Sequence, residues 1–229
     1  MKIIHTEKKQ RIEALRQNEY FDDCAAALLE EVSNHMQLRE YERGATLLWE
    51  GDPCDGLYIM QEGSAKIHRV SPQGRQYIVR ILQEGDTFAE VPAFDGGANP
   101  VNVEALETSR IWVINSDVLR NLVQANPKFA QKVLANFGRM LRGMVRMVSE
   151  MAFYQVTHRL ARLINEIPAD DLSGASGAHW TQEQIAARLG TVREVVARSL
   201  KELERSGAIQ VENRRITILD PSVLAQWMN

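Results

Sequence analysis

Residues 180–209 read WTQEQIAARLGTVREVVARSLKELERSGAI. Thr181 followed by Gln184, and Thr191 followed by Glu194, each have the form of a capping box at a helix start. Gly190 between them supplies a turn, and Ala186 and Ala187 let two helices approach closely. At ~100° per residue, Arg193, Glu194, Arg198, Lys201 and Arg205 fall within about 140° of one another on the second helix. Val192, Val195, Val196, Leu200 and Leu203 fall on the other side. A helix apolar on one face, Arg-rich on the other and backed by a partner helix has the character of one that enters the DNA major groove. Arg193 and Arg198 can each offer a fork to guanine, and Glu194 can accept from cytosine N4–H. Arg188, Lys201 and Arg205 suit phosphate. Thr181, Gln182, Arg188, Thr191, Arg193, Glu194, Arg198 and Lys201 are therefore the candidate DNA contacts.

Around this stretch the chain changes texture twice. Residues 1–40 read as helical, with Ile12, Leu15, Leu28, Leu29 and Val32 at helical spacing. From Tyr41 the runs LLWE, GLYIM, AKIHRV, QYIVRIL, FAEV, VNVEAL and RIWVI are separated by Gly, Asp and Pro. Many short strands with turn residues between them predict an antiparallel β-roll or barrel. Residues 116–126 read as a helix, and a long helix follows Pro127. Its Leu134, Phe137, Leu141, Met144, Val148 and Met151 alternate in steps of three and four, the seam of a coiled-coil dimer, flanked by Arg139, Arg142 and Arg146. Residues 155–167 read as a further helix and 168–177 as a polar loop. The runs on either side of Glu212-Asn213-Arg214 read as a two-stranded wing. The expected fold is α+β, with an N-terminal sensing unit at 1–127, a dimerisation helix at 128–154 and a winged helix-turn-helix at 155–229.

The chain has 229 residues, 45% hydrophobic and 25% charged, with a net charge of −3. A net acidic chain is not an indiscriminate polyanion binder, so any DNA contact rests on where the positive charge sits. There is no membrane-length apolar run. The start, MKIIHTEKKQRIEAL, has no signal-peptide character, and a cytoplasmic protein is expected. Cys24 and Cys54 are too few for a disulfide framework or for the four thiolates of an iron–sulfur cluster. His5, His35, His68, His158 and His179 are dispersed, without metal-ligand spacing. A metabolite-binding enzyme on a cupin-like barrel, which would hold a metal through clustered His and Glu, stands as the alternative.

The chain resembles the CRP/FNR superfamily over essentially its whole length. The residues that carry the likeness are Arg43-Gly44, Glu50-Gly51-Asp52, Leu57-Tyr58-Ile59, Glu62-Gly63, Gly85-Asp86-Thr87-Phe88-Ala89-Glu90, Phe153-x-x-Val156-Thr157-x-Arg159-Leu160-Ala161 and Arg193-Glu194-x-x-x-Arg198. The resemblance implies a cyclic-nucleotide-binding-type β-roll, a central dimerising helix and a C-terminal winged helix-turn-helix. A member of this family is among the standard helix-turn-helix examples, so the docking geometry is borrowed from it. The Arg-Glu-x-x-x-Arg match implies an inverted pair of TGTGA-like half-sites, and a regulator of this kind would work with RNA polymerase.

In the cAMP-binding branch the phosphate cassette reads Gly-Glu-Leu, then Arg-Ser. Here Ala89-Glu90-Val91 keeps the Glu, but Pro100-Val101 stand at Arg-Ser, and no arginine neutralises a cyclic phosphate. Met144 and Val145 stand where hydroxyls would meet adenine and cannot donate. The effector pocket expected from Phe88, Ala89, Glu90, Val91, Pro100, Val101, Met144 and Val145 is thus apolar. It would suit an apolar metabolite, or haem sensing a diatomic gas, and not cAMP; a pocket with no ligand is the other reading.

Overall fold

The computed structural model describes residues 1–173, 180–213 and 215–228. In chain order the elements are β1 (Lys2–Ile4), α1 (Lys8–Arg16), α2 (Ala26–Ser33), β2 (Met36–Tyr41), β3 (Thr46–Leu48), β4 (Gly56–Glu62), β5 (Ala65–Val70), β6 (Gln76–Leu82) and β7 (Thr87–Phe88). Then come α3 (Glu90–Asp95), β8 (Asn102–Ala105), β9 (Ser109–Asn115), α4 (Ser116–Ala125), α5 (Pro127–Phe153), α6 (Val156–Glu166) and α7 (Ala169–Ser173). The last are α8 (Gln182–Leu189), α9 (Arg193–Arg205), β10 (Ile209–Glu212), β11 (Arg215–Ile218) and α10 (Pro221–Gln226).

The chain divides into two compact units, Met1–Arg69 with Val79–Leu141, and Val70–Ile78 with Arg142–Asn229. The first holds the expected antiparallel roll, a five-stranded sheet in the order β1-β2-β9-β4-β7 and a four-stranded sheet in the order β3-β8-β5-β6. β4 lies between two partners and is buried from Gly56 to Met60, which is why it reads as a continuous apolar run rather than an alternating one. A Cβ on Gly56 would lie 2.1 Å from the Ile114 carbonyl oxygen, so only glycine lets β4 and β9 come this close. One core packs Leu15, Phe21, Leu29, Trp112 and Phe129 under the helices, and another packs Tyr58, Phe88, Val103 and Val113 between the sheets.

The expected all-helical residues 1–40 also contain strands. β1 and β2 pair antiparallel, Ile3 opposite Arg39, and β2 continues the sheet through β9. Met36 and Leu38 face in while Gln37 faces out, a short alternation that the helical spacing around it obscures. The run FAEV is also not one strand: β7 stops at Phe88 and α3 starts at Glu90.

The second unit has its own core of Leu160, Ile164, Ile185, Val196, Leu203 and Ile216. The expected loop at 168–177 begins instead as the one-turn helix α7; its remaining residues, and His179, lie outside the described residues. Among the described residues no helix is long and apolar enough to cross a membrane.

Candidate nucleic-acid interface and sensor cavity

In the second unit, α8 starts as expected. Thr181 Oγ1 accepts from the Gln184 amide at 3.1 Å and Gln184 Oε1 accepts from the Thr181 amide at 2.8 Å. It ends at Gly190 in the left-handed region, φ 64°, which turns the chain toward α9. Arg159 of α6 donates to the Leu189 carbonyl at 2.8 Å, satisfying an orphan acceptor at that helix end.

The second capping box does not form. α9 begins at Arg193 with Val192 as its cap and no side-chain capping bond. Thr191 therefore lies one residue too early and Glu194 one too early for the reciprocal pair. That leaves the Glu194 carboxylate free of helix capping. Arg193, Glu194, Arg198, Lys201 and Arg205 are all exposed, while Val196, Ser199, Leu200 and Leu203 are buried. The buried side is held by packing and by two polar contacts of one residue: Thr157 of α6 donates to Glu202 Oε2 at 2.8 Å and meets the Ser199 hydroxyl at 3.0 Å. Arg193 is also drawn toward α8, its Nε 3.3 Å from Glu183 Oε1 and 3.4 Å from Gln182 Oε1. Arg188 is half-buried and its Nη1 has no partner, unlike the freely exposed Lys201. β10 and β11 pair antiparallel, Glu212 opposite Arg215, and form the wing; Arg214 lies outside the described residues. One face of α9 beside a wing can thus present two guanidinium forks, a carboxylate and two further cations to a groove.

α5 separates its apolar residues into two faces. Leu134, Leu141, Val145 and Val148 are 70%, 63%, 59% and 65% exposed. Phe137, expected on the dimer seam, instead turns inward and meets Phe94 edge-on at 6.0 Å. Met144 and Met151 are also exposed, 55% and 43%.

In the first unit a cavity of about 350 Å³ is lined by Tyr20, Arg80, Asp86, Glu90, Asn136 and Arg139, together with Gln17, Glu19, Gly85, Thr87 and Met140. Of the expected effector residues only Glu90 lines it. Phe88 is in the core, stacked on Tyr58 at 5.1 Å. Ala89 holds φ 63° before the start of α3. Val91 and Val101 are half-buried, Pro100 is exposed, and Met144 and Val145 face outward. The lining is polar where an apolar one was expected. Burial pushes the Glu90 carboxyl up from its ordinary value, against its own backbone amide and the Arg80 charge, which lower it. Tyr20 is likewise pushed up, first by burial and then by the Glu90 charge.

This donor set does not fit haem. The cavity has neither histidine nor cysteine, the Tyr20 phenol is held protonated, and charged groups replace the apolar walls a porphyrin takes. Among the described residues no three His, Cys, Asp or Glu cluster as metal ligands. Cys24 and Cys54 are half-buried free thiols that burial pushes up, away from thiolate reactivity. Tyr20, Arg80, Asn136 and Arg139 were not among the expected residues. Asn136, a polar residue on the same inward helix face as Val133 and Met140, was the available signal.

Comparison with known proteins agrees with both halves. Residues 38–126 match the cyclic nucleotide-binding domain and residues 158–227 the Crp-like helix-turn-helix domain. A CRP-like cAMP-activated global transcriptional regulator of Mycobacterium tuberculosis is 28% identical over 211 residues, covering 90% of this chain and 94% of its own. The cAMP-activated global transcriptional regulator Vfr of Pseudomonas aeruginosa is 27% identical over 198 residues, covering 83% and 92%. Among solved structures, the c-di-GMP responsive global regulator CLP of Xanthomonas campestris has the same fold, with a TM-score of 0.67 at 21% identity over 86% of this chain and 100% of that one. A β-roll of the cyclic-nucleotide-binding type followed by a winged helix-turn-helix defines a DNA-binding transcriptional regulator, not an enzyme. The chain belongs to the CRP/FNR superfamily.

Proposed function

We propose that the chain works in the cytoplasm as a homodimer that reads an inverted pair of TGTGA-like half-sites, acts with RNA polymerase, and is controlled by a small effector other than cAMP. The observation that carries the DNA reading is the exposed Arg193-Glu194-x-x-x-Arg198 face of α9, with Glu194 uncommitted to a cap. Arg193, Glu194 and Arg198 read base edges, Lys201 and Arg205 hold phosphate, and Thr181, Gln182 and Arg188 support them from α8. The exposed seam Leu134, Leu141, Val145 and Val148 supports the dimer: a second copy of the helix would cover it. Pro100 and Val101 supply no cation to a cyclic phosphate, and Met144 and Val145 no hydroxyl to a base, which supports an effector other than cAMP. The buried Glu90 at the cavity wall supports an effector site in the first unit.

The test is fluorescence anisotropy at one fixed salt concentration, with an inverted TGTGA duplex and its scramble, with and without cAMP. Specific binding should exceed non-specific on the order of 10³-fold, and cAMP should leave the ratio unchanged. Equal affinity for both duplexes would remove the DNA reading. A rise with cAMP would remove only the exclusion of that effector.

A further inference from the structure

α5 carries a second stripe beside the exposed seam. Met140, Met144, Met147 and Met151 recur in steps of four, three and four, so half of the chain's eight methionines stand within twelve residues. At ~100° per residue they fall within about 60° of one another, and about 100° round the helix from Leu134, Leu141, Val145 and Val148. Met144 and Met151 are 55% and 43% exposed, and Met147 is half-buried.

Within the second unit, two of these side chains meet the turn of the helix-turn-helix. Tyr77, near the start of β6 and part of the same unit, donates its hydroxyl to Met147 Sδ at 3.2 Å. A Cβ on Gly190 would lie 3.2 and 3.3 Å from the Tyr77 ring carbons Cε2 and Cδ2, and 3.7 Å from the Met151 methyl. The Tyr77 ring, steadied by Met147, and the Met151 methyl thus rest on the residue that turns α8 toward α9. Gly190 stands three residues before Arg193, so whatever holds this turn sets the start of the reading helix.

Leucine would fill much the same volume as methionine. What methionine adds is a sulfur that accepts from Tyr77 and that an oxidant converts to a polar, chiral sulfoxide, reversibly through methionine sulfoxide reductases. Both cysteines, Cys24 and Cys54, lie in the first unit, so the sulfur beside the reading helix is thioether.

Resting on the reading of α9 as the DNA-reading helix, we infer that Met147 and Met151 are sites of reversible oxidation by a peroxide, and that their sulfoxides lower DNA affinity. The thioether sulfur takes one oxygen of hydrogen peroxide: an S–O bond forms, the O–O bond breaks, and the departing hydroxide collects the proton of the transferred oxygen as water. Sulfur loses two electrons and the peroxide gains them. On Met147 the added oxygen competes with the Tyr77 hydroxyl, 3.2 Å away, and displaces the ring from Gly190. On Met151 it sets a polar group against the turn. Either change loosens the start of α9, which carries Arg193 and Glu194.

The full chain is treated with hydrogen peroxide and then with a thiol reductant, which returns cysteine disulfides and sulfenic acids but not sulfoxides. Peptide mass spectrometry locates the added oxygen, anisotropy on the inverted TGTGA duplex reads the output, and hydrogen exchange reads residues 186–193 without DNA. Oxygen should be found on Met147 and Met151, specific affinity should fall at least tenfold, and exchange at the turn should rise. Methionine sulfoxide reductase should restore both. M147L/M151L should show one affinity before and after peroxide. M144L, on the same stripe but ~10 Å up the helix from Met151, should lose as much as the parent. Full affinity with both sulfurs oxidised, no oxygen on either, or an equal loss in M147L/M151L overturns the inference. If the untreated chain shows no preference for the duplex over its scramble, the parent reading fails, and exchange at the turn alone then decides whether these methionines hold it.

Discussion

Ala89 adopts φ 63° and ψ 26°, a region that costs a side chain with a Cβ about 1–2 kcal/mol. The conformation persists because both neighbours are fixed. Phe88 is stacked in the core on Tyr58, and Glu90 is buried at the cavity wall. The chain must turn between them, and the family cassette uses glycine there. Ala89→Gly relieves the strain but gives back about 0.5–1 kcal/mol of unfolded-chain entropy. The net expectation is a stabilisation of about 0.5–1 kcal/mol, raising the first unit's thermal midpoint by about 2 °C. A differential scanning profile with an unchanged or lower midpoint would show that Ala89 carries no strain. Val192 shows the opposite limit of residue-level reading. The spacing of Thr191 and Glu194 looked like a cap, yet the helix starts one residue later than that pair requires. A capping motif is read from residue types, and a shift of one position dissolves it without changing the sequence pattern.

Among the elements, α8, α9 and the wing could be read because their evidence is local: caps, one turn glycine and two apolar faces within 40 residues. The strands of the roll could be read for the same reason, apart from β1 and β2, whose pairing joins distant segments. α5 could be read as a helix but not as to which way it faces. Leu134, Leu141 and Val148 belong to both possible seams. The choice between Phe137 and Val145 depends on Phe94, which α3 brings against the helix. The two faces therefore respond differently to substitution. Val145→Asp places a charge on an exposed surface, should leave the protomer folded, and should convert the proposed dimer to monomer in sedimentation. Phe137→Ala removes an inward ring and should cost the first unit about 3 kcal/mol, the low end for a Phe-to-Ala cavity. A dimer that survives Val145→Asp, or a Phe137→Ala protein as stable as the parent, would reverse the assignment.

At the scale of the whole molecule, the output and input ends differ in how much of them sequence alone discloses. The proposed base-reading residues Arg193, Glu194 and Arg198 lie on one helix, whereas the cavity draws Tyr20, Arg80, Glu90 and Asn136 from four segments that only the folded sheet brings together. Electrostatics ties the output end to the whole chain. The net charge is −3, so the body of the protein repels DNA and attraction must be concentrated on the exposed cations of α9. Affinity then depends on salt through the few phosphates those cations neutralise, with a slope of about −0.9 in log K against log salt for each. Lys201, exposed on α9 and without an ion pair among the described residues, is the proposed phosphate contact, one per subunit. Lys201→Ala should weaken specific and scrambled duplexes alike and flatten the slope by about 2 in a two-fold complex, about 1 per half-site. Arg198, exposed on the same face, is the proposed base reader, and in that role it would release no counterion. Arg198→Ala should leave the slope nearly unchanged, cost about 1–3 kcal/mol on the specific duplex only, and relax selectivity at one base pair of each half-site. Anisotropy titrations of both variants across a salt series separate the roles. If the two variants lose the same slope, or lose equally on both duplexes, α9 does not divide its side chains between bases and phosphates.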